Sequence, residues 1–277
     1  MGVSSGKVAF FDSGIGGLTT LAACIDFAKE NLHLRQMPQF FYYGDNPRAP
    51  YGNLPLEKIN AYVKEAFLLF SELKIDAAVL ACNTVTALCV ERLRKEYPFP
   101  IIGTEPAVFS AAREGGEVFV LATRATYQSR RFQNLCTLAE KKYPQAIVRA
   151  FPCDELAGAI ENHLLDKAFD FTAHFPRGKP SSVVLGCTHY VYIKDRIRDF
   201  YNAPTFDGND GVARRLFSVL SKNEEKKTGS EKFLEKNEFL RPLVTPAQKS
   251  DKNSEIFFVG GGKMVNKTKY EQMFVLK

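Results

Sequence analysis

Short apolar runs alternate along this chain with longer stretches in which apolar residues recur every three or four positions. The runs predict strands at Lys7–Asp12, Gln39–Asp45, Asp76–Cys82, Pro100–Gly103, Glu117–Thr123, Ile147–Phe151, Ser181–Cys187 and Glu255–Gly260. Several are rich in Val, Ile, Phe and Tyr and apolar on both faces, as strands buried in a parallel sheet should be. The periodic stretches predict helices. Leu18–Asn31 places Leu18, Leu21, Ala22, Ile25 and Ala28 on one face, and Pro55–Leu73 opens with a proline near its first turn and carries Ile59, Val63, Phe67 and Leu68. Similar stretches follow at 84–96, 126–142, 153–165, 190–201 and 209–221.

Strand–helix alternation of this kind specifies an α/β protein built on doubly wound parallel sheets. In such sheets the chemistry gathers just beyond the carboxyl ends of the strands. One region breaks the pattern. Residues 222–254 are dense in mixed charge with few large apolar side chains, and they predict a solvated surface excursion.

Composition narrows the picture by exclusion. At 277 residues, 45% hydrophobic and 25% charged, the chain is neither disordered nor fibrous, and its length suits one or two domains. The net charge of +6 is mild and its basic residues are scattered, so no nucleic-acid partner is expected. No apolar stretch is long enough to span a bilayer, and the amino-terminal residues lack the apolar core of a signal peptide. A cytoplasmic protein with reduced thiols is therefore expected, with no membrane association. The six cysteines include no C-x-x-C pair, which leaves no metal site in view.

Two strand ends carry the same small-residue, Cys, polar pattern, VLACNT and VLGCTH. Each cysteine, Cys82 and Cys187, is expected where an apolar strand stops and a helix begins, where the helix dipole would lower a thiol's pKa. The bland alternative is two well-buried small residues. His189 follows Cys187 by two positions and is a candidate to tune it. The segment FDSGIGGL (11–18) sends an acidic residue and a serine off the first strand into three glycines, a setting for an anion such as a phosphate or a substrate carboxylate, or simply a tight turn. YYGDNPRAPYG (42–52) leaves another strand as a loop stiffened by two prolines.

Together FDSGIGGL, YYGDNPRAPYG, ACNTVTA, GTEPA, ATRATYQS and LGCTHY resemble the glutamate racemase family, within the cofactor-independent aspartate/glutamate racemase superfamily. The resemblance runs from residue 10 to residue 190. The His after the second Cys-Thr resembles glutamate racemases, whereas aspartate racemases typically carry Glu there. The resemblance implies two α/β lobes with the site between them, Cys82 and Cys187 as the catalytic pair, and no cofactor. It implies Asp12 and His189 as polar helpers beside the thiols and Ser13 as a substrate contact. Pro50, Tyr51 and Gly52 match a substrate loop, and Asn83, Thr84, Thr123, Thr126 and Thr188 match ligands of the amino acid's charged groups. The resemblance matches the family's acidic residue to Glu161, with Glu155 competing because PCDELAGAIE lacks the usual apolar pattern. Thr104 stands where Ile or Val is common. A bacterial cytoplasmic homodimer that supplies D-glutamate for peptidoglycan is implied as well. Pro and Gly interruptions at 103–106 and 204–208 divide the chain into one lobe of residues 1–104 plus 207–277 and another of 105–206.

Inverting an α-carbon requires a proton to leave one face and another to arrive at the opposite face. Two thiols on facing walls, one charged and one neutral, suit a reaction whose equilibrium constant is near one. Two other readings stand beside this one: a different racemase of the superfamily, and a two-lobed binding protein without catalysis.

Overall fold

Successive residues of a strand point to opposite faces, so an apolar strand must be covered twice. β1 (Lys7–Asp12) meets this demand with a helix layer on each side. The computed structural model describes residues 6–31, 37–166, 168–235, 256–260 and 263–264. After β1 the chain runs through α1 (Leu18–Asn31), β2 (Gln39–Gly44), α2 (Leu56–Glu72), β3 (Ala77–Leu80), α3 (Asn83–Glu96) and β4 (Ile101–Gly103). It continues through α4 (Val108–Glu114), β5 (Gly116–Ala122), α5 (Arg124–Gln128), α6 (Arg130–Lys142), β6 (Ala146–Pro152), α7 (Leu156–His163), β7 (Ser182–Gly186), α8 (Lys194–Tyr201) and β8 (Thr205–Phe206). Last come α9 (Asn209–Glu235), β9 (Ile256–Gly260) and β10 (Lys263–Met264).

The strands form two sheets, ordered β10-β9-β2-β1-β3-β4 and β6-β5-β7-β8. Every pairing is parallel except β9 with β10. In the first sheet Val8, Phe10, Phe40, Tyr42 and Val79 pack against α1 and α9, where Phe27 and Phe217 stack at 5.8 Å. The alternate residues Ala9, Phe11, Phe41, Tyr43 and Leu80 pack against α2 and α3. The second sheet repeats the scheme: Phe119, Leu121, Val183 and Leu185 face α7 and α8, and Val118, Val120 and Val184 face α4 and α6. The expected α/β class with doubly wound parallel sheets is the observed one.

The differences lie at element ends and in weakly patterned segments. The stretch 126–142 is two helices, because Ser129 adopts an extended conformation and its hydroxyl accepts from Phe132 N to cap α6. The stretch 190–201 begins as a tighter 3-10 turn, Thr188–Ile193, before α8. α7 is shorter than 153–165, and α3 begins one residue earlier than expected, directly after Cys82. Leu68 is exposed, whereas Ile59, Val63 and Phe67 of the same helix are buried. α4, β8 and β10 are too short to carry a period of their own. Residues 222–235, expected as a surface excursion, continue α9, and the rest of that segment, 236–254, lies outside the described residues. Among the described residues no helix is long and apolar enough to cross a membrane.

Phe67 anchors the layer over α2 and α3. It is fully buried, with ring centroids 4.9 Å from Tyr97 and 5.3 Å from Phe70. Phe67→Ala should cost about 3–5 kcal/mol of stability through lost transfer energy and the cavity left behind. Urea unfolding monitored by circular dichroism reads this directly, and an unchanged midpoint contradicts the packing described.

Candidate active site

In each sheet the chain places its second strand on one side of the first and its third on the other. The crevice between the first and third strands is the topological switch point, where carboxyl ends splay apart and side chains can converge. In the first sheet β1 ends in Asp12, and Cys82 lies two residues beyond β3. In the second, Thr123 follows β5 and Cys187 follows β7. The two matching Cys motifs therefore occupy equivalent positions on separate sheets.

On the first wall Cys82 precedes α3 at the N-cap position. Its Sγ donates to Ser13 Oγ at 3.7 Å. Burial pushes the Cys82 thiol up to about 12, and the charge of Asp12 adds to the rise, while the Val85 N–H pulls the other way. The expectation of a thiol acidified by its helix terminus is thus corrected for Cys82: the missing water outweighs the helix. A charge on Cys187 raises Cys82 further, so the two sulfurs sense each other. Asp12 is fully buried and accepts hydrogen bonds from Gly14 N at 2.9 Å and Thr188 Oγ1 at 3.1 Å. Burial raises its carboxyl to about 6 against the opposing pull of His189 and the Gly14 N–H.

On the second wall Cys187 Sγ lies 3.7 Å from His189 Nδ1, and the other ring nitrogen, Nε2, is hydrogen-bonded to Glu161 Oε2. Burial opposes charge on His189, but the bonds to Cys187 and Glu161 prevail and hold its pKa well above 6.5. The two competing glutamates lie in different surroundings. Glu161 meets His189 within the site, whereas Glu155 is exposed and faces His174 at 3.9 Å.

The walls touch along two seams. In the first, Gly14–Gly17 lies against the turn that carries Thr188 and His189. A Cβ on Gly16 would stand 2.3 Å from Thr188 Oγ1 and 2.7 Å from His189 Nδ1, so only glycine allows this approach. Tyr192 Oη donates across the seam to Ile15 O at 2.9 Å. In the second seam Gly52 abuts Thr123, where a Cβ would stand 2.8 Å from the threonine Cβ. Thr84 Oγ1 lies 2.9 Å from Thr123 Oγ1 and 3.4 Å from Thr126 Oγ1, so hydroxyls from both sheets meet. Asn83 is buried beside them in the first turn of α3. Pro50 lies toward α7, with its Cγ 3.9 Å from the Cβ position of Gly158.

Asp12, Ser13, Cys82, Thr84, Glu161, Cys187, Thr188 and His189, together with Gly52, Thr123 and Thr126 of the second seam, are brought together at the crevice or its seams; Glu155 is not. Sequence reasoning passed over Asp45, Tyr42 and Tyr192. Asp45 is fully buried, accepts from the Tyr51 hydroxyl and pairs with Arg48, whose guanidinium stacks 3.9 Å over Tyr62. That network holds the 42–52 loop. An acidic residue between a strand and an Asn-Pro turn was its only sequence signal. Among the described residues no group of His, Cys, Asp and Glu is arranged to hold a metal ion.

Residues 19–216 match the profile of the Asp/Glu/Hydantoin racemase family. A glutamate racemase of Clostridium botulinum (strain Kyoto / Type A2) is 33% identical over 247 residues, spanning 83% of this chain and 91% of that protein. The glutamate racemase of Francisella tularensis, solved in complex with D-glutamate, shares the fold at a TM-score of 0.69 and 22% identity, covering 99% of this chain and 94% of that one. Escherichia coli glutamate racemase, solved with L-glutamate and the activator UDP-MurNAc-ala, aligns at a TM-score of 0.66 and 25% identity, covering 78% of this chain and 82% of that one.

Because the Asp12 carboxyl is raised in the fold, its protonated form stabilises the native state. That stability is fully present below 3.8 and is lost as pH rises through about 6. Asp12→Asn should therefore be more stable than the parent at high pH, by at most about 3 kcal/mol, and the gain should fade below about pH 4. Urea unfolding of both proteins across this range is the check; a difference independent of pH contradicts it.

Proposed function

The chain is an enzyme of the Asp/Glu/Hydantoin racemase family, and from that premise we propose that it interconverts L- and D-glutamate by proton transfer between Cys82, Cys187 and the α-carbon, without a cofactor. One observation carries the reading: two cysteines from equivalent strand ends of separate sheets border one crevice, each beside its own ionisable partner. Glutamate rather than aspartate or a hydantoin is supported by the curated glutamate racemase at 33% identity and by His189 after the second Cys-Thr.

The environments support different roles for the two walls. Burial and Asp12 both keep the Cys82 proton in place, so Cys82 is the acid of the resting pair. His189, held protonated by Glu161, faces the other sulfur and balances negative charge there. A base on the Cys187 side removes the α-proton, Cys82 delivers one from the opposite face, and the reverse reaction exchanges the roles. Ser13, Asn83, Thr84, Thr123, Thr126, Thr188 and the Pro50–Gly52 loop supply hydroxyl, amide and backbone donors. These hold the substrate carboxylates and the charge that develops as the α-proton leaves. The seams limit direct contact of water with the reacting carbon, so the hydrogen delivered to it comes from a thiol, which exchanges with solvent between turnovers.

We extend the reading, on the family resemblance, to a cytoplasmic homodimer whose D-glutamate feeds peptidoglycan synthesis. The lobes are 1–104 with 207–277, and 105–206; the separate sheets of β1–β4 and β5–β8 support this division.

The test is incubation of each glutamate enantiomer in heavy water, with circular dichroism following racemisation and NMR following α-deuterium. The parent should do both. Cys82→Ser and Cys187→Ser should each slow racemisation by at least about 10²-fold. Parental rates in either variant rule out the two-thiol mechanism. Binding of glutamate by the parent without any exchange would favour a silent binding protein.

A further inference from the structure

Beside the crossover from β4 to α4 lies a pocket bordered by α3, α5 and α6, among whose lining residues are Asn83, Thr104, Glu105, Thr126 and Arg131. The space open to a water-sized sphere is about 10 Å³, the lower bound for one water molecule. Two of its lining residues each carry a buried polar atom with no hydrogen-bond partner among the described residues: Thr104 Oγ1 and Arg131 Nε. Thr104 is 3% exposed, and its backbone is fixed because its N–H donates to Leu80 O at 3.0 Å and to Thr86 Oγ1 at 3.2 Å. Arg131 reaches from α6 to Glu91 of α3 at 2.7 Å and to Glu105 of the crossover at 2.5 Å. These contacts occupy its two terminal nitrogens and leave Nε directed elsewhere. A side chain tying the two sheets together and a buried hydroxyl therefore border one water-sized space.

We propose that one water molecule is a fixed part of this pocket, accepting the Arg131 Nε–H and donating to Thr104 Oγ1, and that Thr104 and Arg131 act through it as positioning residues. Asn83 and Thr126 line the same pocket and also border the crevice. The water sets the spacing of α3 and α6, and so holds the substrate-binding groups of the two sheets in register. The positioning role rests on the racemase reading above; the water itself does not.

Two measurements separate them. A high-resolution crystal structure of the parent should show a water within about 3.2 Å of both Thr104 Oγ1 and Arg131 Nε. An empty pocket, or a water touching only one atom, overturns the proposal whether or not the protein racemises glutamate. In kinetics, Thr104→Val should raise KM for glutamate about fivefold with kcat within about twofold, and Arg131→Lys, which keeps the charge but loses Nε–H, should do the same. Thr104→Ser keeps the hydroxyl and should restore the parental KM. Parental KM in Thr104→Val, or a serine variant as impaired as the valine one, overturns the positioning role.

Discussion

The hydrogen bond from Thr188 to Asp12 crosses from one sheet to the other, and the geometry of the crevice depends on it. Both partners are buried, so neither group can turn to water instead. The bond forms only because the backbones approach more closely than side chains ordinarily permit, and the absent Cβ of Gly16 is what makes room. Through this contact the carboxylate at the end of β1 joins the wall that carries Cys187 and His189. Asp12 thus belongs electrostatically to both walls: it raises Cys82, and His189 pulls its own carboxyl down.

The same burial that brings these groups together makes them costly. Asp12 and Cys82 are both held away from their ordinary ionisation by the loss of water. His189 keeps its charge only because Glu161 and Cys187 supply the interactions that water no longer does. The two thiols are therefore alike in chemical type and unlike in surroundings.

Rigidity comes from outside the crevice. Asp45, Arg48, Tyr51, Tyr62 and Glu65 form a connected polar and aromatic set beneath the 42–52 loop. The set holds Gly52 against Thr123 and closes the second seam. Ser129 separates α5 from α6 with a capped break, which lets Thr126 turn toward Thr84 while Arg131 faces α3.

Much of the architecture was legible along the chain. Strands buried on both faces need continuous apolar runs, and helices lying on a sheet need a period near 3.6, so β1, β3, β7, α1 and α2 declare themselves from their own residues. Cys82 and Cys187 were visible because each ends such a run in a repeated motif. The choice between Glu155 and Glu161 was not visible, because both lie in one short acidic stretch and only the path of α7 turns one toward His189. Nor was the raised pKa of Cys82 visible: a helix terminus is a local feature, whereas removal of water depends on packing from both sheets. Sequence determined the elements and the chemical groups at their ends because those follow from neighbours along the chain. Tertiary structure alone decided which groups meet, which are dried, and which carry charge, because burial and electrostatic coupling arise between segments far apart in sequence.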